Sequence, residues 1–242
     1  MAPAWRGRGL TVALILVAHD SGPLLAEVIE AAARARAVRE IRLIDNASGD
    51  GIPEQVARKF AADPRFHFEK LPTNTGFGAA CNRAAAACTA PWLLILNPDC
   101  RLAPETLDTL LERADDARSP GVIGIRTISP IGKIERAVHR LMPSTTRMLL
   151  RQRNASLDLS LPWQEVEAGS GALMLIPRAL FKHIGGFDTG FFLHAEDLDL
   201  MARARAAGAH NALAGDLSAV RTSRARRAAN ARGSCPGTNT AA

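Results

Sequence analysis

Three acidic clusters carry the chemistry this sequence can offer. Asp45-Asn46 and Asn97-Pro98-Asp99 each follow a short apolar run, and Glu196-Asp197-Leu198-Asp199 follows the aromatic pair Phe191-Phe192. An Asp at a strand exit can accept hydrogen bonds from a base or a ribose. One on a neighbouring ligand loop can hold a hard divalent cation. Mg2+ or Mn2+ takes one or two carboxylates and lets phosphate oxygens and waters complete the octahedron, so Asp99 plus a diphosphate would suffice. At the third cluster, the phenylalanines would make a partly apolar pocket, where a carboxylate has a raised pKa and can serve as general base. Each cluster also has an ordinary reading. Asp and Asn are common turn residues, and acids in the first turn of a helix are favoured by its dipole. Spacing alone leaves both readings open.

The elements that must position these clusters follow from the hydrophobic pattern. Leu10 to Ala18 reads as a buried strand, and Ser21 with Pro23 as the start of a helix carrying Leu24, Leu25, Val28, Ile29 and Ala32. Ile41 to Ile44 is a second strand, cut off by the turn formers Asp45 to Gly51, with Val56 and Phe60 facing inward from the next helix. Phe66 to Lys70 alternates like a third strand. Asn74-Thr75-Gly76-Phe77-Gly78 opens a helix over about 79–87, and Trp92 to Leu96 is a fourth strand stopped by Asn97-Pro98-Asp99. A helix with Leu107, Leu110, Leu111 and Ala114 on one face precedes a fifth strand, Val122 to Ile128. Such alternation predicts an α/β fold with a largely parallel sheet, and in such sheets ligands collect at the carboxyl ends of the strands. Residues 129–168 show a turn at Ser129-Pro130-Ile131-Gly132, a basic stretch around Arg147, Arg151 and Arg153, and no clear period; they read as a variable insertion near an acceptor site. Order returns with a strand from Ala172 to Ile176, a short helix from Pro177 to Gly185-Gly186, a helix from about Glu196 to Gly208, and a strand over 216–220.

Several function classes are excluded by composition and charge. At 242 residues and 47% hydrophobic the chain can bury a substantial core, so it is not a disordered segment. Cys81, Cys88, Cys100 and Cys235 show neither CxxC spacing nor a His-rich neighbourhood, which argues against zinc and a disulfide framework and for a reduced, cytoplasmic setting. The apolar run 10–18 is half the roughly 18 residues of a membrane span. It follows Arg6 and Arg8, but it ends in Ala-His-Asp-Ser-Gly, a strand exit rather than a signal-peptide cleavage site. The net charge of +6 lies mostly in residues 221–242, where Arg221, Arg224, Arg226, Arg227 and Arg232 face no acid; the preceding 220 residues hold 25 basic and 24 acidic side chains. Without aromatic interleaving the tail does not read as a nucleic-acid binder. With Arg147, Arg151 and Arg153 it could lean on anionic lipid head groups at the inner face of the plasma membrane. A nucleotidyltransferase would need a Gly/Arg/Lys-rich phosphate loop near the first strand, which is missing.

Taken in order, the motifs resemble family 2 glycosyltransferases of the GT-A type. The matching segments are Asp20-Ser21 after the first strand, Asp45 to Gly51, Asn74-Thr75-Gly76-Phe77, Asn82, Leu96-Asn97-Pro98-Asp99, Gly171-Ala172, Gly185-Gly186-Phe187-Asp188 and Glu196 to Leu200. Each is weak alone; the ordered set spans roughly residues 10–220. The set is most similar to rhamnosyltransferase-type enzymes of bacterial cell-surface polysaccharide assembly. The resemblance implies a Rossmann-like, mostly parallel sheet flanked by helices. A domain over 1–220 would divide into a donor-binding half, about 10–128, and an acceptor half, 129–220, followed by a basic tail over 221–242. It implies that Asp45, with Asn46, contacts the donor nucleobase, and that Asn74 and Gly76 shape the donor pocket. Asn97 and Asp99 would form a DXD-like motif with Asp99 on Mg2+ or Mn2+, and Asp197 would be the general base with Glu196 beside it. The co-substrate would be a nucleotide-diphospho-sugar, with dTDP-rhamnose in view, and the acceptor a polysaccharide or lipid-linked saccharide.

The sequence departs from that pattern in three places. Asp20 stands where Asn is frequent and Thr189 where Glu is frequent, both away from the chemistry. After the strand over 216–220 the family commonly supplies a His for metal or diphosphate, and this chain has Arg221. An Arg can pair with diphosphate oxygens but cannot ligate a metal. The apolar pattern also fails beyond Arg221, where relatives continue with helical segments. Truncation or a changed reading frame after about Val220 would account for both, and would imply a nucleotide-sugar-binding remnant with impaired turnover.

Overall fold

In the computed structural model, residues 9–135, 157–222 and the backbone of 139–140 are described. The basic stretch 147–153 and the tail beyond Thr222 lie outside the described residues. Strand β1 (Val12–Ala18) is buried along its whole length. Its alternate side chains feed two cores: Val12, Leu14, Leu16 and Ala18 enter one, Ala13, Ile15 and Val17 the other. A run without polar residues is therefore a strand covered on both faces. The same division recurs later, with Trp92, Leu94 and Leu96 on one side and Leu93 and Ile95 on the other.

Helix α1 (Leu25–Ala33) covers the first face through Leu25, Val28, Ile29 and Ala32, an i, i+3, i+4, i+7 stripe. It starts later than expected. The Ser21 hydroxyl accepts the His19 N–H instead of capping a helix, and the residue before the helix, Leu24, offers no side-chain cap. Strand β2 (Val38–Asp45) leads into α2 (Ile52–Lys59), which opens where Asp50 Oδ1 accepts the Ile52 N–H at 3.0 Å. Then follow β3 (Phe66–Lys70), α3 (Phe77–Ala86), β4 (Trp92–Leu96), the two-residue β5 (Cys100–Arg101), α4 (Pro104–Asp116) and β6 (Pro120–Ile128). The Ser129–Gly132 turn forms as expected, with the Gly132 N–H on the Ser129 carbonyl.

In the second half, β7 (His139–Arg140) pairs with β9 (Ala168–Gly169), and β8 (Gln164–Glu165) borders the main sheet. Strand β10 (Leu173–Pro177), α5 (Arg178–His183), α6 (Glu196–Ala206) and β11 (His210–Arg221) complete the chain. The sheet order is β3-β2-β1-β4-β10-β6-β11-β5, with β8 on β11. Strands β3, β2, β1 and β4 pair in parallel, as do β6 and β11. Strand β10 slots antiparallel between β4 and β6, and the short edges β5 and β8 run antiparallel to β11. The expected mostly parallel sheet holds, with one reversed strand at its centre. Strand β11 is longer than its apolar end suggested, running 12 residues through a register break between Ala214 and Ser218. Among the described residues, no helix is long and apolar enough to cross a membrane.

Candidate active site

The carboxyl ends of β1, β2 and β4 lie side by side, and β11 ends on the same edge because it runs parallel to β6 and reaches β5 beyond β4. Asp45 is the last residue of β2, paired with Ala18 on β1 and Lys70 on β3, and is fully buried. Its Oδ1 accepts the Ser48 N–H at 2.7 Å, which turns the chain sharply out of the strand. Its Oδ2 is buried without a hydrogen bond, and the Lys70 ammonium stands 3.7 Å away. A buried carboxylate oxygen in that state is costly unless something donates to it. Lys70 also contacts Glu54, and that contact above all raises the lysine's pKa while lowering that of Glu54. A cavity of about 470 Å³ opens beside Asp45, lined by Ala47, Ser48, Lys70, Leu71 and Pro72.

Asn46 and Asn74 prove to be loop builders. The Asn46 amide donates to Asn74 Oδ1 at 2.8 Å and to the Gly76 carbonyl at 3.3 Å, while its Oδ1 accepts the Thr75 N–H at 2.9 Å. Asn74 Oδ1 also takes the Gly76 N–H at 2.9 Å. Two amides thereby weld the exit of β2 to the loop before α3. Gly76 is required on two counts: its φ of 85° is left-handed, and a Cβ there would lie 2.8 Å from the Phe192 carbonyl.

At the exit of β4, the Asn97 N–H donates to the Ala172 carbonyl at 2.9 Å and the Asn97 carbonyl accepts the Cys100 N–H at 3.0 Å. Asp99 Oδ2 accepts Arg221 Nε at 3.1 Å, while Oδ1 is buried without a hydrogen bond. Arg221 Nη1 reaches Glu135 Oε2 at 3.3 Å, an oxygen that also accepts the Thr127 hydroxyl at 3.1 Å. The backbone closes the same corner, since the Thr222 N–H and hydroxyl donate to the Asp99 carbonyl at 2.9 and 3.3 Å. Burial draws the Arg221 pKa down, but Asp99 and then Cys100 and Glu135 outweigh it, and the group stays firmly charged. The Cys100 thiol is pushed up to about 12, by burial first and by the Asp99 charge second.

The third cluster opens α6. His194 and Ala195 both hold left-handed φ values, 73° and 69°, a strained entry for non-glycine residues. It swings Glu196 and Asp197 inward, each with only 8% of its surface exposed. Asp197 Oδ2 accepts the Gly171 N–H at 3.0 Å and Oδ1 the Leu198 N–H at 2.9 Å. Asp199 is committed elsewhere: it holds Arg203, whose guanidinium donates to the Ile184 and Gly186 carbonyls. The expected phenylalanine pocket is not what buries the acids. Phe191 and Phe192 are themselves exposed, at 36% and 61%, with the Phe192 carbonyl accepting the Phe77 N–H. Backbone approach at Gly171 is the nearer cause.

Sequence reasoning missed Glu135, which lies in the irregular segment with no motif around it, and Thr222, which is anonymous in an arginine-rich stretch. Asn82 stood out by its motif, but what it does is visible only in three dimensions. Its side chain both accepts the Phe187 N–H and donates to the Phe187 carbonyl, each at 2.8 Å.

This fold is that of GT-A glycosyltransferases. GalNAc-T7, solved with UDP, GalNAc and Mn2+, superposes with a TM-score of 0.70 at 16% identity over 88% of this chain and 43% of that one. The mannosyltransferase PcManGT from Pyrobaculum calidifontis, solved with GDP-Man and Mn2+, gives 0.64 at 22% identity over 90% and 59%. This chain thus spans less than two thirds of either solved chain. Residues 13–185 match the sequence model of glycosyl transferase family 2, and the chain belongs to that family. It is 28% identical over 221 residues to the N-acetylglucosaminyl-diphospho-decaprenol L-rhamnosyltransferase of Mycobacterium tuberculosis, covering 81% of this chain and 70% of that protein. The succinoglycan biosynthesis protein ExoO of Rhizobium meliloti is 32% identical over 107 residues, 44% of this chain and 30% of that one.

Proposed function

We propose that the protein transfers a sugar, with inversion, from a nucleotide-diphospho-sugar to a hydroxyl of a saccharide acceptor. The observation that carries this reading is that two hydrogen bonds, one backbone to backbone and one from a backbone N–H to a carboxylate, tie the acids to one sheet edge. Asn97 to Ala172 joins the Asp99 loop to the start of β10, and Gly171 to Asp197 joins that same start to α6. Asp45 lies two strands away, beside the cavity. Its Oδ2, which has no hydrogen bond, suits the imide N–H of a pyrimidine base entering from the neighbouring depression lined by Ala47, Ser48 and Leu71.

Chemistry follows from that order. Asp197 takes the proton of the acceptor hydroxyl while its oxygen attacks the anomeric carbon in line. The bond from that carbon to the β-phosphate oxygen breaks, and the electron pair leaves with the nucleoside diphosphate. The Gly171 N–H holds the Asp197 carboxylate in place. The residues round Asp99 do not fit a divalent ion as they stand. One Asp99 oxygen is taken by a guanidinium, which leaves Oδ1 alone to face an ion.

Rhamnose from dTDP-rhamnose, passed to a lipid-linked diphospho-saccharide, is the specific reaction that the mycobacterial relative supports. Such an acceptor would bring the protein to a membrane surface. Binding without transfer is the second reading, favoured by the Arg221 substitution alone. Incubation of the full chain with dTDP-rhamnose and a decaprenyl-diphospho-N-acetylglucosamine analogue tests both. Rhamnosylated product and free dTDP are expected, and release of neither from any nucleotide-sugar overturns the proposal.

A further inference from the structure

The guanidinium of Arg221 is held against Asp99, the acid that the family resemblance sets on the diphosphate side of the donor. Arg221 closes β11, and its backbone is fixed by antiparallel pairing with Cys100, the residue after Asp99. Its side chain is stretched between Asp99 Oδ2 at 3.1 Å and Glu135 Oε2 at 3.3 Å, and Thr222 pins the Asp99 carbonyl beneath it. Three separate pieces of chain, from the exits of β4, β6 and β11, therefore converge on one cation. These contacts use Nε and Nη1; among the described residues Nη2 meets no acceptor. Nε and Nη1 lie on the two different edges of the guanidinium, so each anchors one fork, and Nη2 with its two N–H groups stands between them to meet phosphate oxygens. A divalent ion on Asp99 Oδ1 would have to share that carboxylate with a permanently charged guanidinium already seated on Oδ2.

Building on glycosyl transfer as proposed above, we propose that Arg221 is the resident cation of the site and that donor binding and transfer need no divalent ion. As the anomeric C–O bond breaks, the electron pair settles on the β-phosphate oxygen, and the Arg221 N–H groups meet that charge while the acceptor proton rests on Asp197. Asp99 and Glu135 become positioning residues that hold the guanidinium.

The test titrates dTDP, UDP and GDP into the full chain by calorimetry, once with EDTA and once with Mn2+, and follows free Mn2+ by its EPR signal without nucleotide. One nucleotide is expected to bind with the same Kd, within about twofold, in both buffers, and the free chain should leave the Mn2+ signal unchanged. Arg221→Lys keeps the charge but loses the fork, and should weaken that nucleotide about tenfold in EDTA. Arg221→His places an imidazole between two carboxylates and should make binding depend on Mn2+. Nucleotide binding by the native chain only when Mn2+ is present overturns this proposal and leaves the transferase reading standing. Absence of binding by any nucleotide in either buffer removes both.

Discussion

The Asp197 carboxylate accepts the Gly171 N–H at 3.0 Å, and a methyl group on Gly171 would lie 2.8 Å from that same oxygen. The approach is closer than a Cβ tolerates, so the position of the proposed base depends on residue 171 having no side chain. Gly171→Ala must push the carboxylate or the strand away. A displacement of that order costs about 100-fold in a positioned reaction, and Asp197→Asn should cost about 100- to 10,000-fold. Both losses should appear in kcat with nucleotide Kd unchanged. A Gly171→Ala enzyme with native kcat would remove Asp197 from the reaction.

The fully buried Asp45 should read the base. Asp45→Asn keeps the volume and the Ser48 turn but replaces one acceptor oxygen by a donor, which faces the donor N–H of a pyrimidine imide. Nucleotide binding should fall about 10- to 100-fold, in keeping with a lost charged hydrogen bond, and turnover at saturating donor should survive. Calorimetry with dTDP and with dTDP-rhamnose separates these quantities. Unchanged affinity would place the base elsewhere than the cavity at Ser48 and Leu71.

What could be read in advance was decided by local chemistry. Asp45 and Asp99 stood out because a buried strand that meets a cluster of turn formers has one way to end, and ligands gather at such ends. The direction of β10 was invisible: Leu173 to Pro177 is an apolar run whose composition is the same whichever way it points, and only its partners Trp92 to Leu96 reverse it. Half of β11 was invisible for another reason, since residues 210–215 hold no β-branched side chain and are strand through pairing with β6. Asp199 looked like part of the acidic cluster until Arg203, four residues on, claimed it. Glu135 could not be found at all, because its meaning comes from Arg221, 86 positions away.

Glu40 makes one part of the fold sensitive to acid. Its carboxylate accepts the Thr89 N–H and hydroxyl and the Ala90 N–H, at 2.9, 2.7 and 2.7 Å, and so ties β2 to the turn before β4. Burial raises its pKa, but the hydrogen bonds from Thr89 and Ala90 outweigh that, and the folded value is lowered from 4.5. A lowered folded pKa means that the contribution is whole above the unfolded value of about 4.3. It is lost as pH falls through the folded one. Glu40→Ala should cost about 1–3 kcal/mol at pH 7, and the gap between the two proteins should close toward pH 3. Urea unfolding across that range checks it, and a gap that widens on acidification would contradict the assignment.

Cys100 reports on the corner that holds Arg221. The thiol is fully buried next to Asp99, within the β5–β11 pairing, and with its pKa pushed up to about 12 by that burial it is held as the unreactive thiol at pH 8. Cys81 and Cys88 are buried as well, with the Cys88 thiol pushed up to about 11 by burial. Iodoacetamide at pH 8 should therefore leave all three unmodified in the folded chain and alkylate them after guanidinium unfolding, as read from peptide masses. Cys100 carries the functional information, because its reaction requires β5 to separate from β11. A nucleoside diphosphate that seats on Arg221 should slow whatever labelling of Cys100 occurs on long exposure, and should leave that of Cys88, beyond the far end of β4, unchanged. Rapid native labelling of Cys100 would show that the Asp99–Arg221 corner opens freely, and a cation held so loosely would not be preorganised for a diphosphate.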